Sequence, residues 1–397
     1  MNYQQFQALC DSTTQGQLTL LDRRFNSLLI SLSFARKLNA NSVALEAEEV
    51  VSQRALLEVE RRRQDERDRA LASQRYQQKA ASAELHERIF NLIRDSIAQP
   101  EQLRARVLDI SDDAINLIDN LYTRAVSIRK LEEYTPNLPW LEEDLIRAVN
   151  LPPFADSKDT KRVKVTSVRN AMGFIGSEDL GILVPAYTMQ YLLPNSIEPF
   201  NLLSQKIWEH ALGTANTAQV LAELDGDMNP SMAFIMGMFH GLGKGALARL
   251  YTQCFDDIKR NLLQELRQAG RSVSYNALLQ LGPSELYLRN FMLHFSHQYT
   301  AKLFASMNFR FIPFQAVYED FAKAKNVNEL NGLARNLYQA QRYSQFRMMY
   351  SANFATAEDG KTLCKDAGLQ LPALDVLRGV NLKRLRLRRG AAADPNR

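Results

Sequence analysis

Cysteine, histidine and long apolar runs are all scarce in this 397-residue chain, and each scarcity removes a class of function. The three cysteines, Cys10, Cys254 and Cys364, stand far apart, with no C-x-x-C and no histidine at metal-ligand spacing. That excludes a disulfide scaffold and a zinc-finger framework. It fits a reducing compartment, where sparse cysteines serve as small buried apolar residues. A membrane-spanning helix needs about 20 apolar residues, and none of the runs qualifies: Phe25 to Ala35 is bracketed by Arg23, Arg24, Arg36 and Lys37, and Leu180 to Pro194 is broken by Pro185. The opening residues carry Asp11 and no basic side chain, unlike a secretory signal, so a soluble cytoplasmic protein is expected. Strand-like alternation is rare, no Asn-Gly or Asp-Gly separates two β-like runs, and no repeat suggests a solenoid. The fold class that remains is all-α.

The length predicts two or three helical domains. The formal net charge of +5 belongs to the end of the chain: Lys383, Arg384, Arg386, Arg388, Arg389 and Arg397 face one carboxylate, Asp394, leaving 43 basic and 43 acidic side chains before residue 383. Any attraction to phosphate is therefore local.

Helical patterning runs through most of the chain. Leu18, Leu21, Phe25, Leu28 and Leu32 recur at spacings of three and four, a stripe suited to a core face and too short to define a coiled coil. Residues 45–75 turn to Glu, Arg, Gln and Ala, with Glu58/Arg62 and Asp65/Arg69 at the favourable i,i+4 spacing, which reads as an exposed helix. The division expected is an N-terminal helical region at 1–88, a helical domain with flanking helices at 89–352, and an irregular segment with a basic tail at 353–397.

The stretch from Leu141 to Gly176 resembles the HDOD domain. A helix ending at Leu145 to Asn150 precedes a loop and then Ser167, Ala171, Ile175 and Gly176. A second match follows, with Trp208-Glu209-His210 and Thr214-Ala215, then Ala233-Phe234, Gly237 and Phe239-His240-Gly241-Leu242-Gly243-Lys244. The order and separation of these motifs agree together over about residues 141–260. One departure is Leu151-Pro152-Pro153, where the family commonly has a small polar residue after the asparagine. The resemblance implies an HD-like helical HDOD domain, here preceded by the N-terminal helical region, in a metal-free relative of the HD and HD-GYP phosphohydrolases.

Those phosphohydrolases hold divalent metal through an upstream histidine, an adjacent His-Asp pair and a later aspartate. Here the pair has become His240-Gly241, and glycine supplies no carboxylate to a hard cation. His210 and His240 are the only weak metal candidates that the resemblance brings near one another, and two imidazoles seldom suffice. His294 and His297, one turn apart, are expected to divide between core and solvent. Asp225-Gly226-Asp227 and Asp256-Asp257 lack the ligand pattern of an EF-hand. Gly241, Gly243 and Gly245 around Lys244 do not make a phosphate loop, because Gly245 follows the lysine where Ser or Thr is needed. They read instead as small residues that let helices approach, with Lys244 exposed. No nucleophile elbow and no Cys-His arrangement is legible, so no catalytic residue and no cofactor is expected.

The resemblance implies a bacterial signal-transduction protein in which the HDOD domain is a protein-interaction or output module. Its partner is an unidentified signalling protein, and the N-terminal helices offer a face for homo-oligomer formation. The alternative is a residual metal-dependent phosphohydrolase acting on nucleotides. Nucleic acid or an anionic membrane is only weakly suggested, by Lys383, Arg384, Arg386, Arg388 and Arg389 interleaved with two leucines.

Overall fold

A computed structural model describes residues 1–11, 16–43, 58–151, 154, 164–194 and 196–387. Among these residues every regular element is helical. The chain opens with α1 (Tyr3–Asp11), α2 (Gln17–Ile30) and α3 (Leu32–Val43), followed by the long α4 (Glu58–Ser96). Next come α5 (Pro100–Val107), α6 (Asp112–Leu121), α7 (Ile128–Glu132) and α8 (Pro139–Val149). The central helices are α9 (Val168–Ile175), α10 (Ser177–Leu192), α11 (Leu203–Asp225), α12 (Pro230–Phe239) and α13 (Leu242–Gln268). After α14 (Ser272–Leu279) and α15 (Glu285–Ser306) come α16 (Phe314–Lys323), α17 (Gly332–Ser351), α18 (Ala357–Asp366) and α19 (Leu371–Arg378).

Local chemistry sets several of the starts. Ser111 and Ser167 accept hydrogen bonds from the Ala114 and Asn170 amides, so each side chain satisfies an orphan donor in the first turn. Asn229 does the same for Ser231 and Met232, just ahead of Pro230, whose missing N–H costs nothing at the first helical position. Thr356 and Asp359 close a reciprocal capping box.

Three packings position the centre of the molecule: α11 lies against α12 and α17, α13 against α15 and α4, and α2 against α15 with further contacts to α11, α17 and α18. Leu21, Phe25 and Leu28 of the N-terminal stripe are buried in these contacts, so the face is consumed within the chain. Leu32 lies beyond the break at Ser31 and is 37% exposed. Helix α4 runs through residue 88 without interruption, and Phe6, Phe25, Leu85 and Phe90 belong to the same buried cluster as the central helices. Residues 66–76 of α4 are exposed throughout, as the charged composition requires. The side chains of Glu58, Arg62 and Asp65 fall outside the described residues. After residue 353, where irregular chain is expected, α18 and α19 form, with Leu363, Cys364 and Leu377 buried. Short helices with one or two inward residues give too weak a periodicity to be read from sequence.

Two glycines set the closeness of the central packing. A methyl group at Gly237 would lie 2.6 Å from the Ala215 Cα, and one at Gly243 would lie 2.5 Å from Thr300 Oγ1 and 2.8 Å from the Thr300 amide. The obstructing atoms are largely backbone, so neither contact relaxes by a rotamer change. Gly243→Ala is expected to lower the free energy of unfolding by about 3 kcal/mol, the upper end for overpacking. A urea midpoint unchanged from the parent protein would refute this close approach.

Candidate functional site

The family-like positions divide into those that hold the backbone and those that gather in the core. Asn150 ends α8, and its amide reaches across to the chain entering α9: Nδ2 donates to the carbonyls of Ile146 and Val165, both at 2.8 Å, and Oδ1 accepts from the Val165 amide at 3.0 Å. An asparagine thus stands in for a strand neighbour and fixes where α9 begins. Pro152 and Pro153 of the intervening loop lie outside the described residues. Gly176 joins α9 to α10 at φ +81°, a conformation that favours glycine. Trp208 is half-buried against the core.

The histidines do meet. The rings of His210, on α11, and His240, at the end of α12, stand edge to face with centroids 4.8 Å apart, and the Phe25 ring lies 4.6 Å from His210. Both are buried. His240 Nδ1 is 2.6 Å from the Gly237 carbonyl, which fixes the proton on Nδ1. The Nε2 atoms of His210 and His240 have no hydrogen-bond partner among the described residues. Burial, then the neighbouring His240 and Lys244 charges, hold the His210 pKa well below the usual imidazole range. Burial pushes His240 down to about 3.

Such a pair is a poor cation site. Gly241 stands where the resemblance calls for a carboxylate, and a Cβ there would point at Ile207 Cγ2, 3.4 Å away. Among the described residues no three His, Cys, Asp or Glu side chains come together to hold a metal. His294 and His297 do not join the pair: His294 is exposed, and the half-buried His297 sets its edge against Phe321, ring centroids 4.8 Å apart.

Lys244 is the principal correction to the sequence reading. It is 4% exposed, where an exposed side chain is expected, because α2 folds over the start of α13 and lays the Phe25 ring 5.1 Å from Nζ. Burial pulls its pKa down to about 8, against the opposing pull of Asp22. A buried ammonium ion beside two imidazoles repels a metal ion and further weakens the case for one.

Beside Lys244 lies an ionic cluster for which the sequence offers no spacing signal. Arg342 of α17 pairs with Asp22 of α2 at 2.5 Å and with Asp366 of α18 at 3.0 Å, and Gln345 donates to Asp22 at 2.8 Å. The tail is also placed differently from a loose one. Asn216 of α11 donates to the carbonyls of Leu382 and Arg384, and Arg386 pairs with Glu223 at 3.1 Å. Lys383 and Arg384 remain exposed, while Arg388 and Arg389 lie outside the described residues.

The HDOD domain family matches residues 107–274 of the chain. This stretch is an HDOD domain. The match begins well before Leu141, so α6 to α8 belong to the HDOD domain as well as the motif-bearing helices. A crystal structure from Shewanella amazonensis SB2B, of a protein provisionally assigned as a metal-dependent phosphohydrolase, superposes with a TM-score of 0.44 at 12% identity. The superposition covers 78% of this chain and 98% of that one. No curated protein matches. The HDOD boundaries leave α2, α15 and α17 outside the domain, so Asp22, His297 and Arg342 are brought to it by flanking helices. No helix among the described residues is long and apolar enough to cross a membrane.

Proposed function

We propose that this protein is a non-catalytic regulatory or signal-transduction protein of bacterial type, with its HDOD domain acting as an interaction or output module in the cytoplasm. The observation that carries the reading is the composition of the histidine pocket: two neutral imidazoles, a glycine in place of the bridging carboxylate, and a buried ammonium ion. Lewis-acid activation of water needs several anionic or neutral donors on one centre, and this donor set is short of that. The outward half of α4, with Tyr76 71% exposed, is the helical surface available to a signalling partner or a second copy, since the α2 stripe is already buried.

The unpartnered Nε2 atoms of His210 and His240 favour a second reading, a residual phosphohydrolase acting on nucleotides. Metal content separates the two. Untagged protein purified without chelator is expected to carry almost no bound metal by mass spectrometry. Stoichiometric metal that disappears in His240→Ala would reverse the assignment and make nucleotide hydrolysis the activity to assay.

A further inference from the structure

A cavity of 160 Å³ opens beside Lys244, between α2, α13, α15 and α17, with Lys325 at the end of the α16 segment also lining it. Its polar lining is rich in donors: Lys244, Ser296, His297, Gln341, Arg342 and Lys325. Asp22 is the one acid in the lining, and its carboxylate already accepts from Arg342 and Gln345. The Lys244 ammonium is 4% exposed and in no ion pair among the described residues, and the carboxylate that attracts it, Asp22, is already held by Arg342 and Gln345. Arg342 with its two carboxylates sums to one negative charge, so Lys244 and Lys325 leave the neighbourhood positive. A buried ammonium ion normally has a counter-ion, because an unpaired charge out of water is costly. Here the cavity stands where that counter-ion belongs.

We infer that this cavity binds a small tetrahedral oxyanion, inorganic phosphate or the phosphoryl group of a small phosphate monoester, seated on Lys244. Donors from three helices fit several oxygens at once better than the two of a planar carboxylate. Pockets that enclose drug-sized ligands measure roughly 300–1,000 Å³, so this one accommodates a head group and leaves any larger part of the ligand at the mouth. The cavity exists whatever the domain does. Its role as a small-molecule input rests on the regulatory reading above, and metal analysis and anion binding test the two separately.

Calorimetric titration with inorganic phosphate, with chloride holding ionic strength constant, is the direct test. The parent protein is expected to bind one phosphate, with affinity at least tenfold weaker in Lys244→Met and several-fold weaker in Gln341→Met. The second variant removes a neutral donor and keeps the lysine, so it decides the matter if the first does not fold. Absence of saturable phosphate binding in the parent protein overturns the inference, as does unchanged affinity in either folded variant. Methyl phosphate supplies the second arm. Equal affinity for it supports a phosphorylated metabolite as the ligand, and rejection of it supports the free ion.

Discussion

Acidification from pH 7 to pH 5 is expected to remove on the order of 5–8 kcal/mol of folding free energy, about 2 kcal/mol for each histidine that burial holds neutral. His86, His210 and His240 are all nearly inaccessible to solvent. His86 is pushed down to about 4 by burial, its Nδ1 lying 2.7 Å from the Ser82 carbonyl and its Nε2 3.0 Å from the Tyr251 hydroxyl. Its ring is also stacked on Tyr287 at 3.5 Å. The charged groups facing the other two histidines are each other, Lys244 and His297, the last itself pushed down to about 3 by burial, and all disfavour a further proton. Each histidine has a folded-state pKa below its unfolded value near 6.5, so between those limits the unfolded chain binds more protons. Stability is therefore lost as pH falls from about 6.5 toward 4, and the loss is a large part of the 5–15 kcal/mol typical of a folded domain. Urea midpoints at the two pH values measure it directly, and His240→Gln is expected to reduce the difference by about a quarter. Coincident midpoints would show that the rings are not held neutral by burial.

Replacement of Arg342 by methionine is expected to cost about 3 kcal/mol, the lower end of the penalty for breaking a buried ion pair. The guanidinium joins α17 to α2 through Asp22 and to α18 through Asp366, with side-chain exposures of 12%, 29% and 15% respectively. It also lies 5.2 Å from the Tyr338 ring centroid. Burial alone would lower its pKa, but Asp22, Tyr338 and Asp366 outweigh that and hold it above the ordinary arginine value. Removing the cation strands two carboxylates. Among the described residues Asp366 keeps only the Tyr338 hydroxyl, at 2.8 Å, while Asp22 keeps Gln345 and gains freedom to approach Lys244. That substitute partner is why the cost is set at the lower end. Denaturant unfolding of Arg342→Met and of Asp22→Asn/Arg342→Met is the check, with the double variant expected to recover part of the loss. A single variant within 1 kcal/mol of the parent would remove the cluster's claim to hold the helices together.

The helical class, the inward stripe at Leu21, Phe25 and Leu28 and the HDOD motifs were legible because each is local: a period of three to four residues, or a short run in fixed order. Proximity of His210 to His240 followed from the resemblance. Lys244 was misread because nothing in Leu242 to Gly245 announces that a helix more than 200 residues upstream will cover it, and lysine is ordinarily exposed. Asp22 and Arg342 left no trace for the same reason, since their relation exists only after folding. Asn216 likewise reads as one more polar residue until the segment at Leu382 to Arg386 lies along α11.

The Arg342 to Asp22 contact spans 320 residues of chain. At ribosomal rates of roughly 5–20 residues per second, α2 emerges about 16–64 s before the helix that neutralises its aspartate. For most of that interval the face carrying Leu21, Phe25 and Leu28 has neither α15 nor α17 to cover it. The nascent chain thus displays an apolar surface for most of its own synthesis, and final closure of the N-terminal helices is a late event that waits on α17.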